Sequence, residues 1–454
     1  MKRVYLALLL AVILLTGVIA GCQGGVKLDP KNPVTVIMWH NYGGQMQATI
    51  DKLIDEFNVT VGRERGIILN VTSVSATKEL EEKLAMIAHG DPGAPQMPDI
   101  VTAYPRTAAM LANNELLAPL DQYFSAEELA KYIPQYIEEG RLSDDSLYVF
   151  PIAKSTEVLF VNQTLFDRFS AATGVSIDSL ATFEGIAAAA AKYYEWTDAK
   201  TPNIPDDGKT FYTADSWSNI ALVGMAQMGS TFAEPDRLLT STSDYKNVWD
   251  YCVSTALSGG FAVYDGYSSD LSKTGDILCS TGSTAGILFY GDTITYPDNT
   301  TEKVSYSILP YPTFEDGDKI ALQRGAGMVI KNSTKEKEYA ATLFLKWFTS
   351  PDINMRFISS TGYLPVTKKA NDENLPQEIA TVTNANMKKL FVAAKQMDDE
   401  YSFIVAPNYA AYEAMSKDYE NRIKQAMYDG RHQVINGADV STVSENLFRS
   451  FVEH

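Results

Sequence analysis

Four hydrogen-bonding side chains stand together in an otherwise apolar stretch in the first half of the chain. Lys154, Ser155, Thr156 and Glu157 directly precede the apolar residues 158–161. That run predicts a short strand buried on both faces. Polar groups at the entrance of such a strand could face a cleft and hydrogen-bond a polar ligand. The simpler alternative is a surface loop that leads into the strand, and the residue types leave both interpretations open.

A second group of candidate side chains follows the first predicted strand. The β-rich run 34–39 ends at Trp39, which is followed by His40, and after Gly43 the apolar spacing predicts a helix. In an open α/β sheet, ligands bind beyond the carboxyl ends of the strands. Trp39 and His40 therefore lie where a site would be. The free N–H groups at the start of the helix could also receive a ligand oxygen.

Acidic side chains could instead do hydrolytic chemistry, because glycosidases use a pair of carboxylates. Glu157 and Asp215 lie in suitable neighbourhoods. However, a chain with 56 Asp and Glu residues offers such pairs by chance, and it contains neither Gly-x-Ser-x-Gly nor His-Glu-x-x-His. We therefore expect that the protein is not an enzyme, and a surface glycoside hydrolase is the alternative from another functional class.

The first part of the chain predicts strands and helices in alternation. The strands are expected at 34–39, 67–72 and 98–104, and the helices at 46–57, 78–89 and 107–117. This alternation predicts an α/β fold in which a mainly parallel sheet is flanked by helices. The third strand ends in Tyr104, which places another aromatic side chain at the carboxyl end of a strand.

Further candidates lie beyond the strand at 158–161. Trp217 precedes an apolar stretch, Ser283 lies in a Ser/Thr/Gly-rich turn and Gly325 opens another strand. Tyr363 leaves a predicted helix in an extended conformation. Flat aromatic rings can cover the C–H faces of a sugar or polyol, while hydroxyl and backbone N–H groups meet its oxygens. For each aromatic residue, ordinary core packing is the competing interpretation.

The N-terminus predicts export and a lipid anchor. Its positive charges and the apolar run 4–15 have the layout of a secretory signal. Ile-Ala-Gly-Cys at 19–22 resembles the lipobox of bacterial lipoproteins, with Ile where Leu is commoner. The resemblance implies a signal peptide at 1–21, lipidation of Cys22 and a flexible tether at 22–33. The rival interpretation is an uncleaved membrane anchor, although the apolar run is short for spanning a bilayer.

Length and composition narrow the class of protein. With 454 residues the chain is too long for one ordinary core, so we expect two domains. A formal net charge of −18 lacks the basic footprint of a nucleic-acid-binding protein. Cys252 and Cys279 have no Cys-x-x-Cys spacing, and we expect no metal site and no cofactor. Outside the cytoplasm these two residues could pair, or they could remain buried thiols.

The order of several short motifs resembles a known family. Trp-His-x-x-Gly-Gly follows the first strand, Pro-x-x-x-Ser-Thr-x-x-Leu-x-x-Asn covers 151–162, and Thr-Gly-Tyr-Leu-Pro-Val occupies 361–366. Together with the lipobox, they resemble the family 1 extracellular solute-binding proteins, the ligand receptors of ABC importers. The nearest branch holds sugar and glycerol 3-phosphate binders. The similarity is dispersed over residues 34–451.

This resemblance implies a fold and a division into lobes. The fold is a two-lobed, periplasmic-binding-protein-like α/β fold of type II, in which each lobe is a mainly parallel sheet flanked by helices. The lobes would close on the ligand by hinge motion. Three chain crossings are expected, near 150–155, 310–320 and 363–367. The expected lobes are an N-terminal lobe at 34–150 and 320–363 and a C-terminal lobe at 151–319 and 364–454.

The resemblance also implies ligand contacts and partners. The implied contacts are Trp39, His40, Tyr104, Ser155, Trp217, Ser283, Gly325 and Tyr363. The implied partners are a small sugar or polyol and the permease subunits of an ABC importer. We expect a monomer that its lipid holds at the extracytoplasmic face of the cell membrane.

Two departures separate the chain from the glycerol-phosphate branch. Pro105 stands where that branch has an acid, and Tyr412 or a close neighbour stands where it has an arginine. Burying a phosphate without a cation would cost free energy. Arg324 or Lys154 could supply that cation in place of the missing arginine. We therefore expect a neutral carbohydrate ligand. A glycerol 3-phosphate or glycerophosphodiester is the second choice, and a structural or adhesive lipoprotein is a further alternative.

Overall fold

The computed structural model describes residues 26–74, 77–409 and 411–453. The predicted signal peptide, the lipidation site Cys22 and the first residues of the tether lie outside these ranges. Among the residues that are described, no helix combines the length and the apolar character needed to cross a membrane.

The described chain contains strands and helices throughout. The strands are β1 (Val34–His40), β2 (Ile67–Ser73), β3 (Ile100–Ala103), β4 (Glu157–Asn162), β5 (Tyr212–Ala214), β6 (Ala233–Glu234), β7 (Arg237–Leu238), β8 (Cys279–Ser283), β9 (Thr293–Thr295), β10 (Thr301–Lys303), β11 (Tyr306–Leu309), β12 (Ile320–Gln323), β13 (Gly327–Ile330) and β14 (Ser402–Val405). The α-helices are α1 (Gly44–Phe57), α2 (Arg63–Arg65), α3 (Thr77–His89), α4 (Pro105–Asn113), α5 (Ala126–Leu129), α6 (Pro134–Glu139), α7 (Gln163–Thr173), α8 (Phe183–Asp198), α9 (Trp217–Gln227), α10 (Ser243–Trp249), α11 (Thr255–Leu257), α12 (Ser268–Thr274), α13 (Lys335–Phe348), α14 (Pro351–Thr361), α15 (Leu375–Thr381), α16 (Ala385–Glu400), α17 (Tyr412–Ile435) and α18 (Val440–Val452). Short 3₁₀ or π turns occupy Asn58–Gly62, Leu120–Gln122, Ile177–Ala181, Asp250–Ser254, Thr284–Phe289 and Ala370–Asn374.

Two four-stranded sheets form the centres of the two lobes. The first has the order β13-β3-β1-β2, with β1 parallel to both β2 and β3, and β13 antiparallel to β3. The second has the order β11-β4-β8-β5, with β5 parallel to β8, and β4 antiparallel to both β8 and β11. The two-lobed α/β architecture predicted from the sequence is confirmed.

The expectation of a mainly parallel sheet holds for the first lobe and is wrong for the second. In each sheet, three strands run in one direction and one strand, β13 or β4, runs in the other. Both reversed strands directly follow a passage between the lobes, so each starts at the cleft and runs away from it. Because β4 lies inside its sheet, it creates two antiparallel pairs, whereas β13 lies at an edge and creates one.

The passages between the lobes are hydrogen-bonded to one another. Ser155 and Arg324 exchange backbone N–H···O bonds of 2.9 and 2.7 Å, and Lys154 and Leu364 exchange bonds of 3.1 and 2.6 Å. The segments around Lys154–Ser155, Arg324 and Leu364 therefore lie side by side.

The second crossing lies further along the chain than the expected segment 310–320. Residues 320–323 form β12, which packs against α9 and β4 of the second lobe, while β13 at 327–330 belongs to the first sheet. The chain therefore passes between the lobes at 324–326. The remaining lobe boundaries, and the assignment of the helices after 364, stay predictions.

A large hydrophobic core runs from the first sheet past the crossings into the second lobe, and a smaller cluster lies beneath α3 and α4. Cys252 and Cys279 lie buried in the large core as free thiols. Burial raises the pKa of both thiols well above its ordinary value.

The backbone conformation and close packing at position 325, in the second crossing, require a glycine. Its φ is +104°, and an added Cβ would lie 3.0 Å from the carbonyl oxygen of Ala153. Gly325→Ala should therefore lower the free energy of unfolding by about 1–3 kcal/mol, measured as a lower urea midpoint. The control is Gly291→Ala, because Gly291 is exposed and its nearest non-neighbouring atom lies 4.0 Å from the added Cβ. Equal midpoints for the two variants would contradict the argument.

Candidate functional site

The carboxyl ends of the same-direction strands in both sheets converge on one cleft. Two cavities of about 640 and 410 Å³ occupy it, and Arg324 lines both. The larger cavity is lined by Glu81, Tyr104, Pro105, Arg106, Glu138, Glu139, Arg141, Asn219, Leu322, Gln323, Arg324, Gly325, Val405, Ala406, Pro407, Asn408, Tyr409, Tyr412, Glu413 and Ser416. The smaller cavity is lined by Met46, Phe160, Asp215, Ser216, Tyr267, Ser269, Asp270, Lys273, Ser283, Ala285, Gly286, Phe289, Tyr290 and Arg324. Residues of both lobes therefore surround one divided site.

An ion pair fixes the side chain that divides the site. Arg324 Nη1 donates to Glu157 Oε1 at 2.8 Å, and Asn219 Nδ2 donates to the same oxygen at 2.7 Å. Asn219 lies in the first turn of α9 because Ser216 Oγ caps that helix by accepting the Asn219 N–H at 3.1 Å. Burial raises the pKa of Glu157, and the charge of Arg324 opposes that rise.

A second buried ion pair lies at the first crossing. Lys154 Nζ donates to Glu139 Oε2 at 2.6 Å and to the carbonyl oxygen of Gly325 at 3.0 Å. The Gln323 amide donates to the same Glu139 oxygen. Burial lowers the pKa of Lys154, and Glu139 counteracts this by stabilising its charge. Lys154 thus holds the crossing in place and faces a carboxylate rather than the open cleft.

Each cation that lines the two cavities has a carboxylate partner. Arg324 contacts Glu157, Arg106 contacts Glu81 and Glu413, Arg141 contacts Asp121 and Glu138, and Lys273 contacts Asp270. Within the described residues, the cleft therefore offers a ligand no cation that lacks a countercharge. The Arg106–Glu413 pair also joins α4 to α17 at the larger cavity.

Aromatic side chains stand on both sides of Arg324. Tyr104 lies between β3 and α4, where Pro105 begins the helix, and it is 38% exposed at the larger cavity. Tyr267 and Phe289 line the smaller cavity and are 74% and 53% exposed. Tyr267 is held at the start of α12, because the next backbone N–H, that of Ser268, donates to Asp215 Oδ1 at 2.9 Å. Exposed rings around a concave polar site suit a ligand with apolar C–H faces.

Four of the residues predicted from the sequence lie at this cleft. Tyr104 and Gly325 line the larger cavity, and Ser283 lines the smaller one. Ser155 is buried beneath the site, where its backbone pairs with Arg324. Tyr363 lies outside both linings; its half-buried ring stacks on Phe357 at 6.0 Å. The contact of each with a ligand stays a prediction.

Trp39 and His40 line neither cavity. Trp39 packs against the smaller hydrophobic cluster. His40 is fully buried, its Nδ1 accepts the Tyr42 N–H at 3.2 Å, and its Nε2 lies 3.9 Å from Asp51. Burial lowers the pKa of His40 and Asp51 opposes this shift. The structure therefore gives both residues packing contacts in the first lobe.

Trp217 is not brought to the cleft. Its ring is fully buried and lies 6.2 Å from the ring of Tyr212 and 6.0 Å from that of Phe261. The family resemblance implied a ligand contact for Trp217, but α9 turns this side chain inward while Asn219, two residues later, lines the larger cavity. Of the two interpretations of Trp217, the structure favours core packing.

Several residues that line the cleft carry little signal in the sequence. Asn219 occupies an apolar stretch, where a lone amide could have suggested a buried polar contact. Tyr267 and Phe289 lie in polar, irregular segments in which no periodicity marks them. Tyr409 lies just before α17, which is distant in sequence from both sheets, whereas the sequence marks Tyr412 only as a departure from the glycerol-phosphate branch.

Comparisons with known proteins place the chain among binding proteins. The profile of a family described as bacterial extracellular solute-binding protein matches residues 52–389. No curated protein sequence matches significantly.

Solved structures share the fold at low sequence identity. A cyclic α-maltosyl-1,6-maltose binding protein from Arthrobacter globiformis is 18% identical over 92% of this chain and 97% of its own, with a TM-score of 0.68. UgpB from Mycobacterium tuberculosis, in complex with glycerophosphocholine, is 17% identical over 92% and 97%, with a TM-score of 0.67. An ABC substrate-binding protein from Listeria monocytogenes, in complex with cycloalternan, is 16% identical over 92% and 99%, with a TM-score of 0.67.

The placement of Trp217 predicts an effect on stability. Trp217→Ala should lower the free energy of unfolding by about 3–5 kcal/mol, because it leaves a cavity in a packed aromatic core. Urea denaturation followed by circular dichroism measures this loss. Trp217→Phe, which keeps most of the ring, should cost less. A Trp217→Ala variant of unchanged stability would show that the ring is not part of the core.

Proposed function

Because the chain belongs to the bacterial extracellular solute-binding proteins, we propose that its cleft captures a neutral carbohydrate and delivers it to an ABC importer. Membership of this family supports a binding function rather than a catalytic one. A ligand in the cleft can contact residues of both lobes. The choice of a carbohydrate rests on the side chains of the cleft.

The observation that carries the choice of a neutral ligand is the pairing of the cations. Arg106, Arg141, Arg324 and Lys273 each contact a carboxylate. A phosphate dianion would have to compete with those carboxylates for the same donors, and it would meet their negative charge as well. A neutral polyol needs only hydrogen-bond donors and acceptors, which such ion pairs supply without being broken.

The aromatic residues support a sugar rather than a generic polar solute. Tyr104 on the first lobe and Tyr267 on the second lie on opposite sides of Arg324 and present exposed ring surface. A pyranose ring has apolar C–H faces and equatorial hydroxyls. Aromatic rings can pack on the C–H faces, and charged groups in the same site can hydrogen-bond the hydroxyls. The two cavities, of about 640 and 410 Å³, have room for more than one sugar ring.

A glycerophosphodiester is the second candidate. The similar Mycobacterium tuberculosis structure holds glycerophosphocholine. In the present cleft, Tyr409 and Tyr412 lie with Glu413 in the lining of the larger cavity, and aromatic rings with an acid suit a quaternary ammonium group. The phosphodiester would still need Arg324 or Arg106 to leave a carboxylate partner.

A glycosidase mechanism gains no support from the acidic residues considered for it. Glu157 is buried and bonded to Arg324 and Asn219, so its carboxylate serves an ion pair. Asp215 Oδ1 accepts the backbone N–H of Ser268 at the start of α12. Each acid thus has a structural role, which agrees with a binding protein.

The lipid anchor completes the proposal. Acylation of Cys22 and removal of residues 1–21 would hold a monomer at the extracytoplasmic face of the membrane, with residues 22–33 as tether. There it would present its ligand to the permease subunits of the importer. The lipobox resemblance and the family support this arrangement.

Ligand binding is tested on the soluble chain that begins at Gln23. A thermal-shift screen against neutral mono- and oligosaccharides, glycerophosphocholine and glycerol 3-phosphate should give a shift with a neutral sugar, because a ligand that binds only the native state stabilises it. Titration calorimetry should then show affinity for that sugar reduced at least tenfold by Tyr104→Ala and by Tyr267→Ala, with little change in melting temperature.

The matched control for these substitutions is Tyr428→Ala. Tyr428 is 57% exposed on α17 and lines neither cavity, so its loss should leave affinity unchanged. A shift only with phosphate compounds would reverse the choice of ligand. Unchanged affinity in both cleft variants would remove the aromatic residues from the site.

The anchor is tested in bacterial cells. Cys22→Ser should abolish labelling with radioactive palmitate and move the protein from the detergent phase to the aqueous phase of Triton X-114, since acyl chains supply about 0.8 kcal/mol per buried CH₂ group. Cys252→Ser serves as the control and should keep the label. Detergent partitioning that persists in the Cys22 variant would favour an uncleaved anchor.

A further inference from the structure

One cation stands at the centre of the cleft, and a buried carboxylate fixes it. The Arg324 side chain is 35% exposed and lines both cavities, whereas the Glu157 side chain is only 3% exposed. The guanidinium is therefore the part of the pair that a ligand can reach. The neutralising carboxylate lies behind it, inside the second lobe.

Glu157 is held firmly in this position. It begins β4 inside the second sheet, where its backbone pairs with Ser283 of β8. Its Oε1 receives hydrogen bonds from Arg324 at 2.8 Å and from Asn219 at 2.7 Å. Its side chain therefore cannot turn into the cleft without breaking two hydrogen bonds, and it lines neither cavity.

We propose that Glu157 is a specificity-determining residue that sets the charge class of the ligand by neutralising Arg324. The inference rests on the proposed function, because it concerns the same cleft. With the carboxylate present, Arg324 can still donate N–H groups to the hydroxyls of a neutral sugar. An anionic ligand, however, would gain little from a cation whose charge is already balanced, and its own desolvation would go uncompensated.

A second acid, Asp215, also compensates the charge of Arg324. Although burial opposes the charge of Arg324, Glu157 and, more weakly, Asp215 keep its pKa above the ordinary value. Asp215 lines the smaller cavity next to Arg324. Loss of Glu157 alone thus leaves Asp215 as a carboxylate that acts on Arg324, and loss of both should leave the charge of Arg324 without either acid.

The test compares anion binding by the wild type, Glu157→Gln and the double variant Glu157→Gln/Asp215→Asn. The probes are inorganic phosphate and glycerol 3-phosphate, followed by titration calorimetry at low ionic strength and by thermal shift. We expect no binding to the wild type at 10 mM probe, at least tenfold stronger binding to Glu157→Gln, and stronger binding again to the double variant.

The matched control is Glu302→Gln. Glu302 also pairs with an arginine, Arg168, and its substitution changes the net charge by the same amount, but neither residue lines the cleft. This variant should bind neither probe. Adding Arg324→Gln to the Glu157→Gln variant should abolish the gained binding, because the unmasked cation is its source.

The outcomes separate this inference from the proposed function. Phosphate binding to the wild type, or equal anion affinity in the wild type and a folded Glu157→Gln variant, would overturn the masking role. The wild-type measurement alone can overturn the masking role, even if substitution of the buried acid prevents folding. If no neutral sugar binds the wild type, the carbohydrate proposal is wrong. A gain of anion affinity on loss of Glu157 would still support the proposal that Glu157 neutralises Arg324.

Discussion

The backbone pairing of Ser155 with Arg324 is the constraint on which the site depends. These two residues exchange hydrogen bonds of 2.9 and 2.7 Å, and each belongs to a segment that connects the lobes. The pairing sets the register of the two crossings, so that Glu157 and Arg324 come within reach of one another. It also determines the direction of β4 and β13, which start at the cleft and leave the carboxyl ends of the other strands facing it.

Charge compensation follows from that register. Polar and charged groups at the crossings are removed from water, and a buried charge is tolerated only when a partner and hydrogen bonds satisfy it. Lys154 therefore faces Glu139 of α6, and Arg324 faces Glu157 of β4. The same condition that makes the hinge stable leaves the floor of the cleft electrically balanced. If Glu157 has the proposed masking role, the way the lobes are joined also limits the chemistry of the ligand.

Sequence patterns predicted the parts of this arrangement that are local. A polar tetrad before an apolar run marked the crossing at 154–157, and strand-helix alternation marked the α/β fold and the carboxyl-end position of Tyr104. Strand direction in the second sheet is set by the crossing and leaves no periodic signal. The partner of Arg324 lies 167 positions away in the sequence. The inward orientation of Trp217 likewise depends on how α9 packs, since residue type alone fits both core and cleft.

Arg324 has two roles that connect binding to motion. It belongs to the segment 324–326, which would bend in the hinge motion that the family resemblance implies, and its side chain lines both cavities between the lobes. Under the proposed function, a ligand that bonds to the guanidinium and touches rings of both lobes would make its full set of contacts only when the cleft is closed. Its binding energy therefore favours the closed state over the open one, which is the requirement for a ligand to shift such an equilibrium. A balanced ion pair suits this role, because its donors stay in place whether or not the ligand is present.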